Sequence, residues 1–203
     1  MVQKITSLPV FTIFLALLLL VPTSCRKTRA QSEAAIKELS KGCVLVRLRT
    51  SALQIKILRE ANNLVAAKKL EKDLEARNIE IIAAFRDEFK FCTAYFFFSN
   101  NSDRIRQNKL DSIFVNDKLE IDPRIKPAQD HVFVVDVGNI HFQAFSGSSE
   151  GIIVMDTQFK PLERPFPYYV RRSKPIPLLS KRMVEMVKEL NYNLNRYYRK
   201  LNL

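Results

Sequence analysis

The sequence predicts one α/β domain: a mixed sheet of about five or six strands, a long helix after the first strand, broken or whole, and an amphipathic helix at the C-terminus. Two short apolar runs of strand length, Cys43–Leu48 and Phe91–Phe98, flank a stretch of helical periodicity. Further β-branched runs follow at Val132–Val137 and Gly151–Met155. The chain then closes on apolar residues spaced 4-3-4-3-4, from Met183 through Val187, Leu190, Leu194 and Tyr197 to Leu201. Only four glycines in 203 residues argue against a turn-rich all-β architecture.

Taken in order, residues 26–40 are polar and charged and suggest a tether or a short weak helix. Cys43–Leu48 is the first strand. Ser51 with Gln54 has the pattern of a capping box and marks a helix start. From Ala52 to Phe89, residues Leu53, Ile57, Leu64, Ala67, Leu74, Ile81 and Phe85 share a helical stripe. An unbroken helix of that length would run about 57 Å, too long for a small domain, so a break is expected at Asn62-Asn63 or near Asn78. Ile79–Phe85 should be buried and Lys68–Arg77 exposed. Phe91–Phe98 suits a central strand covered on both faces, and the single long crossover implies that it pairs in parallel with the first. Ser99–Asn108 suits a loop or helical turn, and Asp111–Val115 a short strand. Val132–Val137 is a strand, Gly138-Asn139 a turn into Ile140–Phe145, and 146–151 a loop. Gly151–Met155 opens a hairpin, and the prolines of 161–177 keep that stretch out of any central strand.

Ahead of the domain, Lys4 leads into the apolar run Val10–Val21, followed by Pro22, Thr23, Ser24 and Cys25. A basic start, a short apolar core and small residues make an export signal, too short from Val10 to span a membrane. Extended back to Ile5 the run reaches about 20 residues, which leaves an uncleaved anchor as an alternative. Ordinary cleavage after Ala30 is another. The residues before Cys25 resemble a relaxed bacterial lipoprotein box, with Pro22 departing from its usual small or branched residue. This resemblance, to short exported lipoproteins of Gram-negative bacteria, covers residues 1–25 alone. It implies a signal peptide at 1–24, a tether at 25–40, a domain at 41–203, and a lipid on Cys25 holding the protein to the cell envelope, on the periplasmic or outer-membrane side.

Lys and Arg number 33 against 21 Asp and Glu, a net charge of +12. The excess is concentrated in residues 171–203, which hold nine basic residues against Glu185 and Glu189. Such a surface attracts nucleic acid, anionic headgroups or acidic partners; export removes the first, so no nucleic acid is expected. With Cys25 set aside, Cys43 and Cys92 remain, one on each predicted parallel strand. In an oxidising compartment they form a disulfide only if their Cα atoms approach within about 7 Å; otherwise they are buried thiols. The element order over about residues 42–200 loosely resembles thioredoxin-like domains. Where their redox motif would stand this chain has Ser99-Asn100-Asn101-Ser102, so the resemblance implies the fold without the activity.

His131 and His141, with Asp130 and Asp136, do not match a metal-ligand spacing, and no metal or other cofactor is expected. The glycines cannot form a phosphate loop, and 146–151 lacks the Gly-x-Ser-x-Gly elbow. The segment Arg164–Arg172 is the most distinctive downstream text. Its prolines hold it extended, and Tyr168, Tyr169, Arg171 and Arg172 are types enriched at binding hot spots. The alternative is an edge segment with Phe166, Tyr168 and Val170 alternating into the core. The sequence therefore points to an exported, lipid-anchored protein that binds rather than catalyses. The alternatives are an enzyme assembled from dispersed residues such as Asp136, His131 or His141, and a redox-linked protein using Cys43 and Cys92.

Overall fold

The computed structural model describes residues 23–128, 130–141, 148–173 and 180–201. Residues 1–22, and with them most of the expected export segment, residues 142–147 of the expected strand and loop, residues 174–179 of the proline-rich stretch and the side chains of Cys25 and His141 lie outside that description. Among the described residues, six strands form one mixed sheet with helices on it, a single α/β domain. The order is β3-β2-β1-β4-β5-β6. Here β1 is Cys43–Leu48, β2 Thr93–Phe98, β3 Phe114–Val115, β4 Val132–His141, β5 Ser148–Met155 and β6 Tyr169–Arg171. The central three, β2, β1 and β4, are parallel, as the long crossover between the first two requires. The strands β3, β5 and β6 are added antiparallel.

Alternation on β1 divides the core. Val44, Val46 and Leu48 face a large cluster with Phe96, Ile81, Phe85, Val187 and Leu190; Cys43 and Leu45 face a smaller one with Phe97, Phe114, Ile105 and Val134. Helix α1 (Thr23–Lys41) occupies the stretch expected to be a tether, because Ile36 and Leu39 are fully buried in the large cluster. Helices α2 (Ala52–Glu60) and α3 (Leu64–Glu88) replace the single long helix, and the break falls at Asn62-Asn63, with Asn62 left-handed. The α3 cap is Asn63, whose Oδ1 accepts from Ala66 N–H at 3.2 Å. Asn78 does not break α3; it is buried within it. The capping box expected at Ser51 is not made: Ser51 is left-handed, with φ 44°, and makes no capping hydrogen bond. Ile79 is also exposed, whereas Ile81, Ile82, Ala84 and Phe85 are buried.

A 3₁₀ turn at Ser99–Asn101 and the short helix α4 (Ser102–Arg106) follow β2. Gly138-Asn139 is not a turn. It lies within β4, paired with Glu150 and Gly151, so the hairpin extends four residues further than the glycine suggested. Helix α5 (Met183–Lys200) docks on the sheet through Met183, Met186, Val187, Leu190 and Leu194. No described helix is long and apolar enough to cross a membrane.

Candidate anion-binding edge

Side chains at the carboxyl ends of the parallel strands form two ionic groups, one on each face of the sheet. Open α/β sheets bind ligands at this end, where successive crossovers diverge; here β1 sends one to β2 on one side and β4 pairs on its other side. Arg47 stands opposite Asp136 in the β1–β4 register. Its Nη1 lies 3.4 Å from Asp136 Oδ2, and its Nε donates to Ser102 Oγ at 3.1 Å. Its guanidinium carbon sits 5.5 Å from the Phe159 ring centroid. Arg49, just past the strand, reaches the same Asp136 oxygen at 3.8 Å. The guanidinium lies against Gly138, where any Cβ would overlap it. Asn78 fixes the base of this residue from α3, donating from Nδ2 to the Arg49 carbonyl at 2.9 Å.

On the opposite face of the sheet, the one that carries Ile152 and Val154, Glu150 on β5 bridges two further arginines. Its Oε1 pairs with Arg77 of α3, and its Oε2 accepts from Arg172 Nη1 at 2.5 Å. Arg172 is tied a second time, by its backbone N–H to the Glu150 carbonyl at 2.8 Å. Burial lowers the pKa of Arg77 first; the charges of Arg172 and Arg49 lower it further, and the exposed Glu80 works against them. Arg49 is the most exposed of the four arginines, at 43%, and its link to Asp136 is the longest.

The ends of β1 and β2 are stitched together beside this cluster. Thr50 N–H donates to Ser99 Oγ at 3.2 Å, the two hydroxyls lie 3.1 Å apart, and Ser102 Oγ donates to the Ser99 carbonyl. A cleft of about 520 Å³ opens there, with Thr50, Ser99 and Asn100 on one wall and Leu53, Ile57 and Leu58 of α2 on the other.

Of the four residues singled out near β6, only Arg172 joins the cluster. Tyr168 and Tyr169 are half-buried and pack on the core clusters, while Phe166 and Val170 are buried. That matches the edge-segment alternative. Arg171 is exposed, and its carbonyl accepts from Lys181 Nζ at 3.2 Å. His131, just before β4, and Asp136 within it do not converge: five residues of extended chain separate them by roughly 16 Å. Among the described residues no group of three or more His, Cys, Asp and Glu is placed to hold a metal.

Cys43 and Cys92 are free thiols. Cys43 belongs to the small cluster and Cys92 packs on the large one, across the sheet. Burial pushes the Cys43 thiol up to about 11. Burial and the neighbouring Cys43 push Cys92 up to about 12, against a backbone hydrogen bond at Val44 that lowers it. Neutral thiols of this kind are poor nucleophiles.

The residues the sequence reading passed over are Arg47, Arg49, Arg77 and Glu150. Two signals pointed to them: the arginines interrupting an otherwise apolar β1 text, Val-Leu-Val-Arg-Leu-Arg, and the rule that directs attention to the residues just after parallel strands. A mixed α/β sheet with an arginine-lined carboxyl edge is the class that fold and site define. No protein-family model, no curated protein and no solved structure matches the chain.

Proposed function

We propose that this is an exported, lipid-anchored envelope domain that acts by binding an anionic ligand at the arginine-lined edge of its sheet. The observation that supports the reading is the placement of four arginines at this edge, Arg47 and Arg49 about Asp136 on one face of the sheet and Arg77 and Arg172 about Glu150 on the other. Part-buried guanidiniums make strong charge-assisted bonds to oxyanions, and their planar forks suit such groups.

Two measurements test this. Metabolic labelling with a fatty acid should mark the wild type and not Cys25→Ala; equal labelling ends the lipoprotein reading. Calorimetry at low ionic strength with inorganic phosphate and sulfate should show saturable binding that Arg49→Gln with Arg172→Gln abolishes. Heat signals unchanged in that double variant would place the anion elsewhere.

A further inference from the structure

We infer that the outward face of α5 is a membrane-docking surface that lies on anionic lipid headgroups. The inference is independent of the arginine edge and rests on the envelope reading alone. Met183, Val187, Leu190 and Leu194 turn toward the sheet and are buried. On the opposite side of the helix Lys188, Tyr192, Arg196 and Arg199 recur at steps of four, four and three, and all four are exposed. Tyr192 is 62% exposed. Just before α5, Lys181 and Arg182 pair with its Glu189 and Glu185. Among the described residues Lys188, Arg196 and Arg199 form no ion pair. A groove of about 600 Å³ beside them reaches the end of α3, where Lys90 adds a fourth base against Asp87 and Glu88.

The form of this surface points to its occupant. A small anion is held by donors that converge, whereas these cations are spread over about 16 Å of helix. A bilayer offers many headgroups at once, and each basic side chain near an anionic one adds to the attraction. A tyrosine in the middle of such a stripe suits the headgroup layer, where its ring meets apolar surface and its hydroxyl meets water. The chain enters the domain through α1, which packs on α5. Phe166 joins the two helices: its ring centroid lies 6.3 Å from that of Tyr197, and it lines one pocket with Thr28 and Ser32. A chain held to a bilayer ahead of Thr28 therefore keeps Arg196 and Arg199 close to that bilayer. One acyl chain gives only marginal attachment, and a basic patch is the second signal that makes it stable.

The chain has no tryptophan, so Tyr192→Trp places a single fluorescent reporter on this face. The full chain carrying it is mixed with vesicles of phosphatidylcholine, with or without phosphatidylglycerol. Emission should shift to the blue only with phosphatidylglycerol, and shift back at about 1 M salt, where charges are screened within about 3 Å. Attachment through residues 1–22 is common to both vesicles and does not move the reporter. Lys188→Gln, Arg196→Gln and Arg199→Gln together should abolish the shift and leave the unfolding midpoint unchanged, since all three positions are exposed. No shift with phosphatidylglycerol overturns the docking face. An equal shift with both vesicles, or one that survives the triple substitution, overturns the role of these charges. Polyglutamate moving the reporter at a lower concentration of charge than the vesicles assigns the face to an acidic protein and overturns the membrane. Fatty-acid labelling decides the envelope reading separately: a labelled protein whose reporter stays in water loses this inference and keeps that reading.

Discussion

The two ends of the parallel strands are built from different materials. At the amino end the chain closes by backbone contact: Cys43 N–H donates to the His131 carbonyl at 2.9 Å and Gly42 N–H to the Leu39 carbonyl at 3.1 Å. The thiols nearby are Cys43, buried, and Cys92, half-buried, both held neutral. At the carboxyl end the neighbours are long ionic side chains, each able to swing aside. One end is rigid and apolar, the other adjustable and charged. A perturbation of equal size should therefore be felt as lost stability at the first and as altered binding at the second.

The sharpest way to break this comparison is the same glycine substitution at each end. In Gly42→Ala the added methyl overlaps the His131 carbonyl oxygen and crowds the Glu38 carbonyl, at 2.9 Å. Both are backbone, in a strand start and a helix end, and neither can rotate away. Overpacking of this kind costs about 1–3 kcal/mol, read from the denaturant midpoint. An unchanged midpoint would show that the amino end is softer than its contacts imply.

The thiols at this end supply a second test, through pH. Below pH 9 both folded and unfolded chains keep the Cys43 proton, and the thiol adds no pH dependence. Above it the unfolded chain loses the proton first, since the folded value is raised from 9.0 to about 11. Stability should fall as pH rises from about 9 to about 11, on the order of 1 kcal/mol per pH unit for this fully buried group. Cys92, raised to about 12, continues the loss upward. A Cys43→Ala, Cys92→Ala protein should show a flatter alkaline limb; identical limbs would mean the thiols ionise freely.

The amino end was largely legible in the sequence and the carboxyl end was not. Continuous apolar runs of strand length mark Cys43–Leu48 and, within Phe91–Phe98, the strand Thr93–Phe98, and the length of the stretch between them makes the pair parallel, because both are read along the chain. The paired asparagines marked the helix break. The two arginine groups draw Arg47 from β1, Arg49 from just after it, Arg77 from α3, Glu150 from β5 and Arg172 from just after β6. No local spacing joins these positions; Glu150 reaches this end only because β4 and β5 pair far enough to bring it level with Asn139. Gly138 misled in the same way. A glycine beside asparagine signals a turn, but this one is a strand residue whose missing Cβ admits a side chain from another strand.

Gly138→Ala therefore sharpens the comparison from the other side. The new methyl would overlap the Arg49 guanidinium, the far end of a flexible and 43%-exposed side chain. Arg49 can move, so stability should change by no more than about 0.5 kcal/mol. Its guanidinium would leave the side of Asp136, and affinity for inorganic phosphate should drop by several fold. A stability loss matching that of Gly42→Ala would erase the distinction between the two ends.

The smallest effect is expected in α2, which rises directly from the carboxyl end of β1 and buries none of its residues. Leu53 is 72% and Ile57 54% exposed although both fit the helical stripe that continues into α3. The spacing forecasts helix correctly, but cover depends on what the sheet places opposite, and here that is the open cleft. Glutamine keeps a straight side chain and a helix propensity near that of leucine. Leu53→Gln with Ile57→Gln should then leave the unfolding midpoint within about 0.5 kcal/mol of wild type. A marked loss of stability instead would mean that α2 is covered in solution, and that the carboxyl end is closed as firmly as the amino end.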